Sequence, residues 1–147
     1  MSSTAPESWG RFPRATPRSV DDVAWTSDLQ LIGDQQPILA YGLGRSYGDV
    51  CLNDGGLVLA MEHCNHILVF DREKGRIRAE AGLSIADLLK VTIPHGWFVP
   101  VTPGTKYVTI GGALANDVHG KNHHRVGTFG CHVSQFELLR SDGSRVT

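Results

Sequence analysis

Thr102 to His124 reads T-P-G-T-K-Y-V-T-I-G-G-A-L-A-N-D-V-H-G-K-N-H-H. A Pro-Gly turn, a Gly-Gly pair, a short apolar run and a cluster of imidazole, amide and ammonium side chains share this stretch, a mixture that core building alone does not require. Pro103-Gly104 predicts a type II turn, because proline presets the first central φ and glycine accepts the positive second one. Thr105 to Ile110, β-branched and aromatic, resist bending. Gly111 and Gly112 carry no Cβ, so the backbone there can touch another surface with its N–H groups uncovered. Ala113, Leu114 and Ala115 are good helix formers, and a glycine pair opening a short helix presents unpaired N–H donors at the positive end of its dipole. A phosphate or an electron-rich ring edge fits such a place, and so does close packing of the helix itself.

Beyond the helix come Asn116, Asp117, Val118, His119, Lys121, Asn122, His123 and His124. A metal site is the rival reading, since Cys131 and His132 extend the run of potential ligands. The spacing argues against it. His119 and His123 sit four apart, useful only on a helix, and Gly120 between them is a poor helix residue. H-E-x-x-H and Cys-x-x-Cys are both missing from the sequence, so no metal is expected and a metal-dependent hydrolase is disfavoured. A polar floor beside a bound cofactor, with Lys121 supplying charge and His119 a hydrogen bond or a proton, competes with an ordinary solvated loop.

A second glycine cluster lies upstream. Ile38 to Tyr41, apolar and flanked by Pro and Gly, predicts a buried strand feeding into G-L-G-R-S-Y-G-D at 42–49. The spacing is G-x-G-x-x-x-G and no amphipathic helix follows, so a dinucleotide fingerprint of the Rossmann type fails. A P-loop fails too, for want of G-x-x-x-x-G-K-[ST]. What remains is a nest of successive backbone N–H groups, with Arg45 and Ser46 alongside, shaped to wrap an anion such as a pyrophosphate.

Around these clusters the pattern is mixed. Residues 1–36 read as an extended lead-in in which prolines forbid a helix, with Trp9 and Trp25 pinning it to the body and Ser19 capping a short helix toward Trp25. Gln36-Pro37 breaks the chain before the strand at 38–41. Strands are expected at 56–61, 67–71 and 76–81, with turns at 63–66 and 72–75. Ser84 caps a helix that sets Ile85, Leu88, Leu89 and Ile93 on one face and stops at Pro94 and Gly96. His63, Cys64, His66 and His95 are assigned to structure or surface. A strand is expected from Trp97 to Val101, and a hairpin around Asp142-Gly143 returns through Arg145 to Thr147. That last strand, left with an open edge, suggests a truncated domain and a route to an oligomer.

At 147 residues one domain is expected, burying about two-thirds of its unfolded surface. Fourteen basic against 15 acidic side chains give a net charge of −1, which leaves no electrostatic footprint for nucleic acid or an anionic membrane. Three widely spaced cysteines and no apolar leader or membrane span fit a reduced, cytoplasmic protein.

The two loops together, G-L-G-R-S-Y-G-D and P-G-T-x-x-V-T-I-G-G-A-x-A-N-D-V-H-G-K-N-H-H, resemble the FAD-binding domain of the vanillyl-alcohol-oxidase (PCMH-type) flavoprotein superfamily. Within it, the chain resembles the decaprenylphosphoryl-β-D-ribose oxidase branch. The resemblance implies an α+β fold over 37–147, with FAD held between two small subdomains and a substrate domain that this chain lacks. It implies that Ala40, Tyr41, Gly42, Leu43, Gly44, Arg45, Ser46, Tyr47, Gly48, Asp49 and Val50 wrap the pyrophosphate. Gly104, Thr109, Ile110, Gly111, Gly112, Asn116, Asp117, Val118 and His119 would line the flavin and its ribityl chain. His119 and Lys121 would face the substrate, a sugar or alcohol whose carbon gives up a hydride to flavin N5. Arg45 stands where sugar-lactone oxidases of the superfamily carry a histidine bonded to the flavin, so the FAD is expected to be non-covalent. An alternative is a remnant that binds no FAD by itself and persists through its open edge.

Overall fold

The computed structural model describes residues 5–29, 37–140 and 142–147. The first residues of the lead-in, Gln36 of the expected chain break and the boundary read at residue 36 lie outside them.

Three parallel strands form one layer: β1 (Ser19–Asp22), β2 (Ile38–Tyr41) and β3 (Leu57–Ala60), in the order β1-β3-β2. Central β3 buries Leu57, Val58 and Leu59, so both its faces are covered and its sequence runs apolar without alternation. Ser19 and Ile38 flank Leu57 in register. The expected cap at Ser19 is corrected here: Ser19–Asp22 is extended, because pairing along β3 satisfies the backbone of the whole segment while a cap satisfies a single donor. A short 3-10 turn follows at Thr26–Asp28. β2 forms where expected, though it is only half-buried and its Ala40 is exposed.

An antiparallel hairpin, β4 (Ile67–Asp71) and β5 (Arg76–Ala79), comes next. Helix α1 (Ile85–Thr92) begins as the sequence predicts, with Ser84 Oγ accepting the Asp87 N–H at 3.0 Å, a cap of about 1 kcal/mol. Ile85, Leu88 and Leu89 are buried, but Ile93 is 54% exposed, because the chain tightens there into a 3-10 turn and Thr92 takes the inward position. The strand expected at 97–101 does not form. Trp97 instead covers the hairpin turn, its Nε1 donating to the Arg72 carbonyl at 2.8 Å. Gly104 does not take the positive φ that a type II turn needs, so the Pro103-Gly104 expectation is also corrected to an open bend. The chain continues through α2 (Ile110–Ala115), α3 (His123–Val126) and a closing hairpin of β6 (Leu138–Leu139) with β7 (Arg145–Val146), turning at Gly143 with φ 79°.

The architecture is thus α+β, with two buried clusters. Val23, Leu57, Leu59, Met61 and Cys64 sit beneath the parallel sheet, while Ile85, Leu89 and Ala113 join α1 to α2. Buried Glu80 ties the hairpin to the segment after β1. Its carboxylate accepts from the Thr26 N–H at 2.9 Å, the Thr26 hydroxyl at 3.0 Å and the His66 N–H at 3.2 Å, and it meets His66 Nδ1 at 2.6 Å. Burial works to raise the Glu80 pKa, but these hydrogen bonds outweigh it and hold the group at about 2. Trp25 stacks on His66 with ring centroids 3.5 Å apart, pinning this part of the lead-in.

Candidate functional site

The first glycine loop leaves the carboxyl end of β2, the edge at which parallel sheets receive ligands. Gly44 and Gly48 take φ values of 61° and 58°, the left-handed conformation from which backbone anion nests are built. Among the described residues, no backbone carbonyl accepts a hydrogen bond from the N–H groups of residues 43 to 50, and the Ser46 N–H is directed at the Cys51 thiol. Tyr47, Asp49 and Val50 are exposed, and a Cβ placed on Gly48 would meet nothing within 4 Å. Uncommitted amides on an open, glycine-turned loop fit an anion with several oxygens, such as the diphosphate of a dinucleotide.

The other side of this loop is covered by residues 5–11. Tyr41 Oη donates to the Glu7 carbonyl at 2.7 Å and accepts the Glu7 N–H at 3.1 Å. Trp9 N–H reaches the Ser46 carbonyl at 3.0 Å, and the Arg45 guanidinium lies 5.5 Å from the Trp9 ring centroid while donating to the Leu43 carbonyl at 2.7 Å. Burial pushes the Tyr41 phenol pKa up, with the Glu7 backbone bond opposing it. The Tyr41 side chain therefore holds this segment. Glu7 had no local sequence signal, since only its backbone takes part.

The second glycine loop differs. Its helix α2 opens one residue before the glycine pair, with Thr109 as cap. Ile110 N–H donates to the Leu83 carbonyl at 2.8 Å, Gly111 N–H to the Ala81 carbonyl at 2.9 Å and Gly112 N–H to Thr109 Oγ1 at 3.1 Å. The unpaired donors expected at this helix start are therefore absent, because the turn before α1 supplies acceptors. Gly111 serves close packing: a Cβ there would stand 2.8 Å from that of Ala81. Around Gly112 the space is open except for Thr109 Oγ1 at 3.0 Å. The two loops meet at Thr109, whose Oγ1 lies 2.8 Å from where a Cβ on Gly42 would be.

Past α2, Asn116 Nδ2 donates to the Gly112 carbonyl at 2.8 Å, and Asp117, itself at φ 41°, accepts the Gly130 N–H at 2.9 Å. Val118 packs against the α1–α2 cluster and bonds Ala113 and Phe129 through its backbone. His119 is exposed, with its ring 5.1 Å from that of His123, and Lys121 is exposed without an ion pair among the described residues. Gly104 is an exposed bend. The predicted residues thus fall into three groups: free amides at 43–50, packed and internally bonded groups at 109–118, and exposed side chains at His119 and Lys121. Among the described residues, no group of three or more His, Cys, Asp or Glu is placed to hold a metal ion, and no helix is long and apolar enough to cross a membrane.

The comparisons agree with this geometry. A model of the FAD binding domain matches residues 14–147. The chain is 44% identical over 144 residues to decaprenylphosphoryl-β-D-ribose oxidase of Mycolicibacterium smegmatis, covering 92% of this chain and 30% of that protein. It is 28% identical over 130 residues to glycolate oxidase subunit GlcD of Bacillus subtilis, covering 86% of this chain and 27% of the relative. It is 30% identical over 105 residues to L-gulonolactone oxidase of Mus musculus, covering 70% and 23%. The chain therefore spans under a third of the length of these relatives. Alkyldihydroxyacetonephosphate synthase shares the fold, with a TM-score of 0.74 at 18% identity over 86% of this chain and 26% of that one. A domain match over nearly the whole chain, together with 44% identity to an oxidase across most of it, establishes the family: the chain belongs to the FAD-binding, PCMH-type flavoproteins, with FAD as its cofactor.

Proposed function

We propose that the chain is the FAD-binding portion of an FAD-dependent oxidoreductase that oxidises a CH–OH carbon of a sugar or alcohol. The observation that supports it is the run of uncommitted amides at residues 43–50, turned by Gly44 and Gly48 at the carboxyl edge of the parallel sheet. When bound, FAD supplies a two-electron acceptor that takes a hydride at N5.

The chain's own residues bind and orient. Amides 43–50 hold the diphosphate, and the open face at Gly112 receives the ring edge. His119 and Lys121, exposed beyond α2, face the substrate: the imidazole takes or returns the hydroxyl proton, and the ammonium offsets charge on the oxygen. Arg45 forms no bond to the flavin, and its guanidinium is engaged with Leu43 and Trp9, so the cofactor dissociates on denaturation. Relatives named as oxidases of a phosphoribose lipid, glycolate and gulonolactone support a CH–OH substrate.

The test is the visible spectrum of the purified chain after addition of FAD and desalting, then of the supernatant after acid precipitation. A retained flavin band that moves to the supernatant supports the reading. No retained band favours a chain that needs the rest of its protein to hold FAD, and a yellow pellet would mean a covalent link.

A further inference from the structure

Residues 5–11 lie against the first glycine loop, joined to it by hydrogen bonds at two points that use only their backbone and by the Trp9 ring beside the Arg45 guanidinium. Tyr41 Oη makes both bonds to Glu7, closing a ring over a sequence separation of 34, and Trp9 N–H bonds the Ser46 carbonyl. Gly44 lies directly beneath, where a Cβ would stand 2.3 Å from both the Glu7 carbonyl and Tyr41 Oη. Ser8, between the two joints, is 3% exposed with its hydroxyl unpartnered among the described residues, which marks the segment as seated rather than draped. An anion nest works only when its amides converge before the ligand arrives, and a loop with two left-handed glycines has little stiffness of its own.

We propose that residues 5–11 form a strap that holds the first glycine loop in its anion-receiving shape, with Tyr41 as the positioning residue. The strap bonds the loop through the Ser46 carbonyl and the Tyr41 hydroxyl and takes none of the N–H groups of residues 43–50. Binding of a diphosphate to those amides and seating of the strap are therefore coupled, and each strengthens the other by the same factor. The ligand side of this proposal rests on the FAD reading above.

The test compares the chain with Tyr41→Phe, which removes both bonds to Glu7 while keeping the ring, and with Glu7→Gln, which changes only a surface side chain paired with Arg11. Hydrogen exchange at the Glu7 and Trp9 amides reports the strap, and flavin fluorescence reports FAD affinity. The expected result has three parts: FAD or inorganic pyrophosphate slows exchange at both amides in the native chain, Tyr41→Phe speeds it and weakens FAD binding about tenfold, and Glu7→Gln does neither. Faster exchange in Tyr41→Phe with unchanged affinity for both ligands overturns the proposal, since the strap would then be a cover only. Exchange unaffected by Tyr41→Phe or by either ligand overturns it as well. If pyrophosphate slows the two amides but FAD does not bind, the strap stands and what falls is the reading that this chain holds FAD by itself.

Discussion

The two glycine loops look alike in sequence and differ in what their amides do. In the loop at 42–50 the N–H groups of residues 43–50 have no backbone acceptor among the described residues, the Ser46 N–H facing only the Cys51 thiol, whereas at 110–112 each N–H is bonded to oxygen at 2.8 to 3.1 Å. The same residue type thus serves two ends: Gly44 takes a left-handed turn beneath the Glu7 carbonyl, and Gly111 removes a side chain so that a helix start can touch Ala81. The first loop is the one proposed to receive an anion, and the second is a joint. Glycine content alone does not mark a binding site. The fate of the N–H groups does.

Substitutions that fill one loop but not the other break the comparison most strongly. Gly44→Val forces a branched side chain into a left-handed position and against the Glu7 carbonyl, so FAD and ADP affinity should both fall at least about a hundredfold, or about 2.8 kcal/mol. Gly112→Val should abolish FAD retention by occupying the ring edge's space while ADP, which has no flavin, still binds. Titration of both ligands into both variants separates diphosphate from ring. Equal ADP loss in Gly112→Val would put the diphosphate at the wrong loop.

Acid acts on the joint's support. Glu80, one residue before Ala81, has its pKa held at about 2 in the folded chain against an ordinary 4.5. Ionised Glu80 therefore contributes roughly 3 kcal/mol at neutral pH, a contribution present above the unfolded value and lost as the pH falls from about 5 toward 2. Thermal melts across that range should show the loss, and Glu80→Gln should flatten it while lowering stability at pH 7. A smaller cost, about 1–3 kcal/mol from overpacking against Ala81, is expected for Gly111→Ala, with FAD affinity of the folded fraction unchanged. Smallest is His119→Ala, whose exposed ring supports no packing: FAD binding should be unaltered, and only turnover measured in the complete oxidoreductase should drop.

Local signals were legible where local chemistry decides. Ser84 with Asp87 marked the start of α1, the apolar run at 38–41 marked β2, and Asp142-Gly143 marked the last hairpin turn. Signals failed where a distant partner decides. Ser19–Asp22 reads as a cap until Leu57–Ala60 is beside it, and Trp97 reads as a strand residue until its indole finds the Arg72 carbonyl. The state of the amides at 110–112 depends on carbonyls of Ala81 and Leu83, some thirty residues away, and no nearby residue announces them. The strap was legible only at Trp9, whose ring lies beside Arg45; its other joint was hidden for the same reason, since Glu7 contributes its backbone and not its side chain.

Titration of ADP into the 15N-labelled chain, followed by amide shifts, separates the two loops directly. Amides of residues 43–50 should move together and saturate, while those of Ile110 and Gly111, already bonded to Leu83 and Ala81, stay where they are. Movement confined to 110–112 with residues 43–50 unchanged would contradict the assignment, making the joint the anion site and the first loop a simple turn.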